Sequence, residues 1–110
     1  MPNLKILILV DSLLAGGAAQ ISISLSMAFL RRGHAVTLVN LSGKTTLKIP
    51  PSLNVLNLDF VSSRKINRYL SRFSDIYKNL ECSQGKFDFV LGNLPMSEIL
   101  MHKLNINGSF

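Results

Sequence analysis

The stretch KILILVDSLLAGGAAQISISLSMAFLRRGHAVTLVN, Lys5 to Asn40, decides the fold. Leu4 to Val10 is a near-continuous run of branched apolar residues, the pattern of a central parallel strand covered on both faces. It ends in Asp11-Ser12, and the pair Gly16-Gly17 then opens a segment of helical periodicity from Ala18 to Arg32. Within that segment Ile21, Leu25, Ala28 and Phe29 predict one buried stripe. Gly33 stands where a helix stop belongs, and Ala35 to Leu41 is a second apolar run. Strand, helix and strand in direct succession make a βαβ unit, whose crossover is right-handed.

Downstream, Lys44 to Ser52 with Pro50-Pro51 is a connection without a helix of its own, and Leu53 to Leu58 reads as a third strand. Ser62-Ser63 supplies an N-cap for a long amphipathic helix, Arg64 to Leu80, which carries Tyr69, Leu70, Phe73, Ile76, Tyr77 and Leu80 on one side. Gln84-Gly85 ends it. Phe87 to Leu91 is a fourth strand, and a last helix, Met96 to Leu104, follows Pro95. The expected architecture is α/β, a Rossmann-like three-layer domain with a mostly parallel sheet of about four strands, formed by residues 1–110 as a single domain.

Composition agrees with one globular domain. Of 110 residues, 47% are hydrophobic and only 16% charged, an apolar excess that implies a sheet buried on both faces or a surface awaiting a partner. The single cysteine, Cys82, has no internal partner and fits a reducing compartment. No apolar run approaches the roughly 18 residues that span a bilayer, and Met1 to Val10 lacks the basic start and small-residue cleavage site of a signal peptide. The expected location is the cytoplasm, with attachment at the inner membrane face as the alternative to a free state. The excess of 12 Lys+Arg over 6 Asp+Glu, a charge of +6, favours anionic partners.

Open α/β sheets bind ligands where strand ends lead into helices, so the loop after the first strand is the first candidate site. Gly16 and Gly17 would let backbone N–H groups approach a phosphate, aided by the positive end of the following helix. The spacing is neither G-x-G-x-x-G nor a Walker phosphate loop, which argues against dinucleotide binding and ATP hydrolysis. Asp11 and Ser12 leave the strand together and are placed to bond a ligand hydroxyl or to satisfy loop amides. His34 lies at the amino end of the second strand, away from that crevice, and reads as structural. His102 lies in the last apolar helix without a cluster of ligating residues around it in sequence, so no metal or resident cofactor is expected. Arg64, Arg68 and Arg72, at steps of four, form a basic stripe suited to an anionic membrane surface or a phosphorylated acceptor. Nothing resembles a recognition helix or stacking platform, so nucleic acid is not an expected partner.

Taken together, these residues resemble a known family. A first strand, Gly16-Gly17-Ala18, a helix and then "RRGHAVTLV" are similar to the amino-terminal domain of family 4 glycosyltransferases of the twin-Rossmann (GT-B) architecture, which open with G-G-A-E-R and later carry K-R-G-H-E-V-T-L-V. Gly16, Gly17 and Ala18 match, as do Arg32, Gly33, His34, Val36, Thr37, Leu38 and Val39. "FDFVLGNLP", Phe87 to Pro95, looks like the later strand that enters the acceptor crevice. Ala19 and Gln20 replace the family's usual Glu-Arg. The carboxyl-terminal domain that holds the nucleotide-sugar, with its E-x7-E pattern, has no counterpart in these residues.

The resemblance implies the amino-terminal half of a nucleotide-sugar-dependent glycosyltransferase of cell-surface polysaccharide or lipid-linked glycan synthesis, inactive alone. It implies Gly16 and Gly17 facing the donor diphosphate, and Asp11, Ser12 and Asn93 lining the acceptor pocket. It assigns no catalytic residue. The implied partners are a donor domain or donor-binding chain, a glycan or lipid-linked acceptor and an anionic membrane. Two alternatives stand beside it: a non-catalytic subunit of a split glycosyltransferase, and a phosphate- or nucleotide-binding domain of flavodoxin-like type.

Overall fold

The computed structural model describes residues 3–60, 66–92 and 100–102. In chain order the elements are β1 (Lys5–Val10), α1 (Gly17–Arg31), β2 (Ala35–Asn40), β3 (Asn54–Asn57), α2 (Ile66–Gln84) and β4 (Phe89–Gly92), and residues 100–102 are helical. Helix α1 opens at Gly17, one residue before the expected start. Strand β4 starts two residues later than its apolar run suggests, at Phe89, and ends one residue later, at Gly92. The proposed cap Ser62-Ser63, together with Arg64, Asn93 and Pro95, lies outside the described residues.

All four strands are parallel, in the order β3-β2-β1-β4. This is the order of the first half of a Rossmann sheet and differs from the flavodoxin-like order, in which the third strand lies beside the first on the side away from the second. The order explains the layers. From β1 to β2 the chain steps one way across the sheet, while from β3 to β4 it steps back past β1. Both crossovers being right-handed, α1 and α2 must cover opposite faces.

Side-chain alternation then splits the core in two. Ile6, Ile8, Val10, Val36 and Leu38 face α1, while Leu7, Leu9, Val39 and Val90 face α2 and residues Leu100 and Met101. Strand β1 is buried almost completely along Ile6 to Val10, as expected for a strand with a parallel neighbour on each side and a layer on each face. At about 1.5–3 kcal/mol for each large apolar side chain removed from water, those five residues are the densest source of stability in the fold.

Three local devices fix the joints. Gly33, with φ at 88°, follows helix α1 in the left-handed conformation, its N–H bonding the Leu30 carbonyl at 3.0 Å. His34 is buried and accepts the Leu4 N–H through Nδ1 at 3.1 Å, tying β2 to β1 at their amino ends. It is structural, at the end of the sheet opposite the crevice. Phe60 and Tyr69 stack at 4.2 Å beneath α2.

Helix α1 departs from the expected stripe. Its fully buried positions are Ala19, Ser22 and Ser26, whereas Ile21 is 56% exposed and Leu25 and Ala28 only half-buried. Each buried serine returns its hydroxyl to a carbonyl one turn back, Ser22 to Ala18 at 3.0 Å and Ser26 to Ser22 at 2.7 Å. With their polar atoms satisfied inside the helix, these small side chains let α1 lie close on the sheet. The larger apolar residues are thereby turned to the flanks and the outside.

Candidate functional site

Strand order places a topological switch point between the carboxyl ends of β1 and β4, where the last residue pair in register is Leu9 with Gly92. The chain leaving β1 through Asp11 and Ser12 forms one wall of that crevice. Both residues are half-buried, and the Asp11 carbonyl accepts the Ser42 N–H at 2.9 Å. Asn93, expected to complete the acceptor side, follows Gly92 directly in sequence and lies outside the described residues.

The wall is braced from the β2–β3 connection. Leu13, fully buried, donates its N–H to the Lys44 carbonyl at 2.9 Å, and its own carbonyl accepts Thr46 N–H at 3.0 Å. Ala15 N–H donates to Thr46 Oγ1 at 2.7 Å. Beside this brace, buried Asn40 at the end of β2 sends Nδ2 to the Lys44 carbonyl, Thr45 Oγ1 and Asn57 Oδ1 at 3.0–3.2 Å, while its Oδ1 has no hydrogen-bond partner. Gly43, with φ at 74°, packs directly against the Leu58 carbonyl, where no Cβ would fit. Sequence reasoning passed over Leu13, Asn40 and Thr46. A polar residue closing an apolar strand was the one signal available for Asn40.

Beyond the brace comes the glycine pair, and neither member is explained by the fold around it. Gly16 has φ 161° and ψ 165°, extended backbone open to any residue, and Gly17 is not among the glycines of positive φ. A Cβ on Gly17 would meet nothing within 4 Å, and one on Gly16 only the Leu14 carbonyl oxygen at 3.9 Å. Both are exposed. The first backbone bond of α1 runs from Gln20 N–H to the Gly16 carbonyl at 3.2 Å, no side chain caps Gly16, and the first turn carries no acidic residue. Among the described residues no side chain caps the N–H groups of Gly17, Ala18 and Ala19, which open the helix at the positive end of its dipole. Without side chains on the two glycines, an anion has room to reach them.

The basic stripe is divided. Arg68 is exposed, but Arg72 bonds Asp59 Oδ1 at 2.8 Å and lies 5.3 Å from the centre of the Phe60 ring. Arg64 is outside the described residues. His102 and Cys82 are exposed, and among the described residues no three His, Cys, Asp or Glu side chains come together as a metal-binding group. No described helix is long and apolar enough to cross a membrane.

No protein-family model matches the chain, and no curated protein matches it in sequence.

Proposed function

We propose that the chain is the acceptor-side, amino-terminal half of a nucleotide-sugar-dependent glycosyltransferase that needs a donor-binding partner domain or chain. The reading rests on the resemblance of residues 4 to 40, and the observation that carries it is the glycine pair, which has no backbone or packing reason of its own. In such a reaction an acceptor hydroxyl attacks the anomeric carbon, the bond from that carbon to the diphosphate oxygen breaks, and negative charge grows on the leaving group. The N–H groups of Gly17, Ala18 and Ala19 would meet that charge as preorganised donors. Asp11 and Ser12 would hold the acceptor, with Asn93 opposite them. With the departing charge met by amides and a helix dipole, the chemistry calls for no resident cofactor.

A polyprenyl- or lipid-linked acceptor would bring the protein to the cytoplasmic membrane surface, for which Arg68 and Arg72 are the exposed described members of the basic stripe, Arg72 also bonding Asp59. The experiment is a transfer assay with UDP-, GDP- and dTDP-sugars, run on the chain alone and on the chain joined to donor-binding halves of twin-Rossmann enzymes. No transfer is expected alone, because half a cleft neither fixes both substrates nor excludes water. A joined protein is expected to transfer, and to lose transfer on Gly17→Ala. Transfer by the chain alone, or full activity of the Gly17→Ala fusion, would contradict the proposal.

A further inference from the structure

Two consecutive glycines at the mouth of a helix would by themselves be loose, because neither carries a side chain that restricts its backbone. In this fold they are held from both sides. Downstream, the Gly16 carbonyl accepts the Gln20 N–H at 3.2 Å. Upstream, the Ala15 N–H donates to Thr46 Oγ1 at 2.7 Å, from a residue 31 positions further along the chain. Among the described residues no other hydrogen bond reaches Ala15, Gly16 or Gly17 from outside α1.

Thr46 can act as a fixed point because the segment that carries it is itself tied down. That segment turns at left-handed Gly43, pressed against the Leu58 carbonyl, and meets Leu13 in a parallel bridge at Thr45. Fully buried Leu13 bonds it three times, donating its N–H to the Lys44 carbonyl at 2.9 Å and accepting the N–H groups of Thr46 and Leu47 at 3.0 and 3.2 Å. Asn40, from the end of β2, grips the same segment through the Lys44 carbonyl and Thr45 Oγ1, while its own Oδ1 is buried without a partner. A buried carbonyl oxygen left unpaired destabilises a fold, so an apolar side chain would serve stability at least as well at that position. What Asn40 contributes is the placement of the segment that presents Thr46. Thr46 itself is exposed, and water can replace its hydroxyl at Ala15 with little change in stability. Its bond selects a loop conformation more than it strengthens the fold.

We propose that Thr46 is a positioning residue for the glycine loop. Its hydroxyl, anchored through Leu13 and Asn40, holds Ala15 to Gly17 in one conformation and so presents the N–H groups that open α1 in a fixed direction. That those amides receive a diphosphate rests on the glycosyltransferase reading; that Thr46 orders the loop does not. Donors ordered in advance bind more tightly than loose ones, because the entropy of ordering them is not charged to binding.

The test compares wild type, Thr46→Val and Thr46→Ser by backbone ¹⁵N relaxation and by titration with inorganic pyrophosphate. Valine keeps the shape of threonine and loses the acceptor, whereas serine keeps the acceptor. Order parameters at Gly16 and Gly17 are expected at about 0.85 in wild type and Thr46→Ser and below about 0.6 in Thr46→Val, with equal thermal midpoints. Pyrophosphate affinity, read at the Gly17 and Ala18 amides, should fall about fivefold or more in Thr46→Val and return in Thr46→Ser. Order parameters at Gly16 and Gly17 unchanged by Thr46→Val would overturn the proposal, whether or not pyrophosphate binds. Equal loosening by Thr46→Ser would overturn it as well, since the hydroxyl would then not be the cause. Loosening confined to Thr46→Val, in a wild type that shows no pyrophosphate shifts, would sustain the positioning role and contradict the diphosphate reading alone.

Discussion

Glycine serves two different purposes within thirty residues of this chain, and substitution separates them. At Gly43 the backbone is left-handed and a Cβ collides with the Leu58 carbonyl, so Gly43→Ala should lower unfolding free energy by roughly 2–3 kcal/mol in urea denaturation. At Gly17 the conformation is ordinary and the space open, so Gly17→Ala should leave stability unchanged or raise it by about 0.4–1 kcal/mol. A large stability loss at Gly17 would mean that the turn itself requires glycine. Tyr77 offers a pH prediction. Burial, and secondarily the charge of Glu81, raise its phenol above the ordinary value of 10.0. The folded state thus favours the neutral form, which contributes stability below that ordinary value and loses it as pH rises through the higher folded value. Wild type should lose thermal stability more steeply than Tyr77→Phe in the alkaline range above pH 10.0; parallel curves would deny the linkage. Asn40 shows why single residues were harder to read than elements. Its importance comes from Lys44, Thr45 and Asn57 arriving from other parts of the chain, which no local pattern announces.

Elements were legible where one periodicity dominated. Strand β1 is apolar from Ile6 to Val10 and is buried there on both sides, and α2 alternates apolar and charged faces clearly enough that Phe73 and Tyr69 were found in the core. Helix α1 misled because its polar residues are serines. A serine in a helix can satisfy itself on a carbonyl one turn back, so Ser22 and Ser26 occupy the sheet-facing side; of the stripe taken for core, Ile21 lies on the outside, Leu25 and Ala28 are half-buried, and Phe29 packs against the core. At α2 the Arg72–Asp59 pair is exposed on both sides, 53% and 74%, and contributes little stability. Arg72→Gln should cost less than about 1 kcal/mol, most of it from the lost contact with Phe60. If the basic stripe meets membranes, replacing Arg64, Arg68 and Arg72 together by Gln should reduce co-sedimentation with anionic vesicles at low salt, each residue being worth about 1 kcal/mol there. Unchanged co-sedimentation would make the stripe a solvated face.

At the scale of the whole molecule, a mostly parallel sheet of about four strands was readable from strand-helix-strand succession, whereas the order β3-β2-β1-β4 was not, because right-handed crossovers also permit the flavodoxin-like order. The crevice position follows from that order. What the sequence could not supply is the reason for the glycine pair, because a turn and an anion site look alike until backbone angles and surrounding space are known. Those angles and that space remove backbone strain and crowding as explanations, and close approach by a diphosphate is the proposal put to the test. The most direct measurement is an amide-resolved NMR titration of the chain with inorganic pyrophosphate, comparing wild type with Gly17→Ala. The prediction is saturable shifts centred on the N–H groups of Gly17, Ala18 and Ala19, weakened by about tenfold or more in the variant while its thermal midpoint holds or rises. Absence of shifts at those amides, or equal binding by the variant, would contradict the assignment of this loop to a diphosphate.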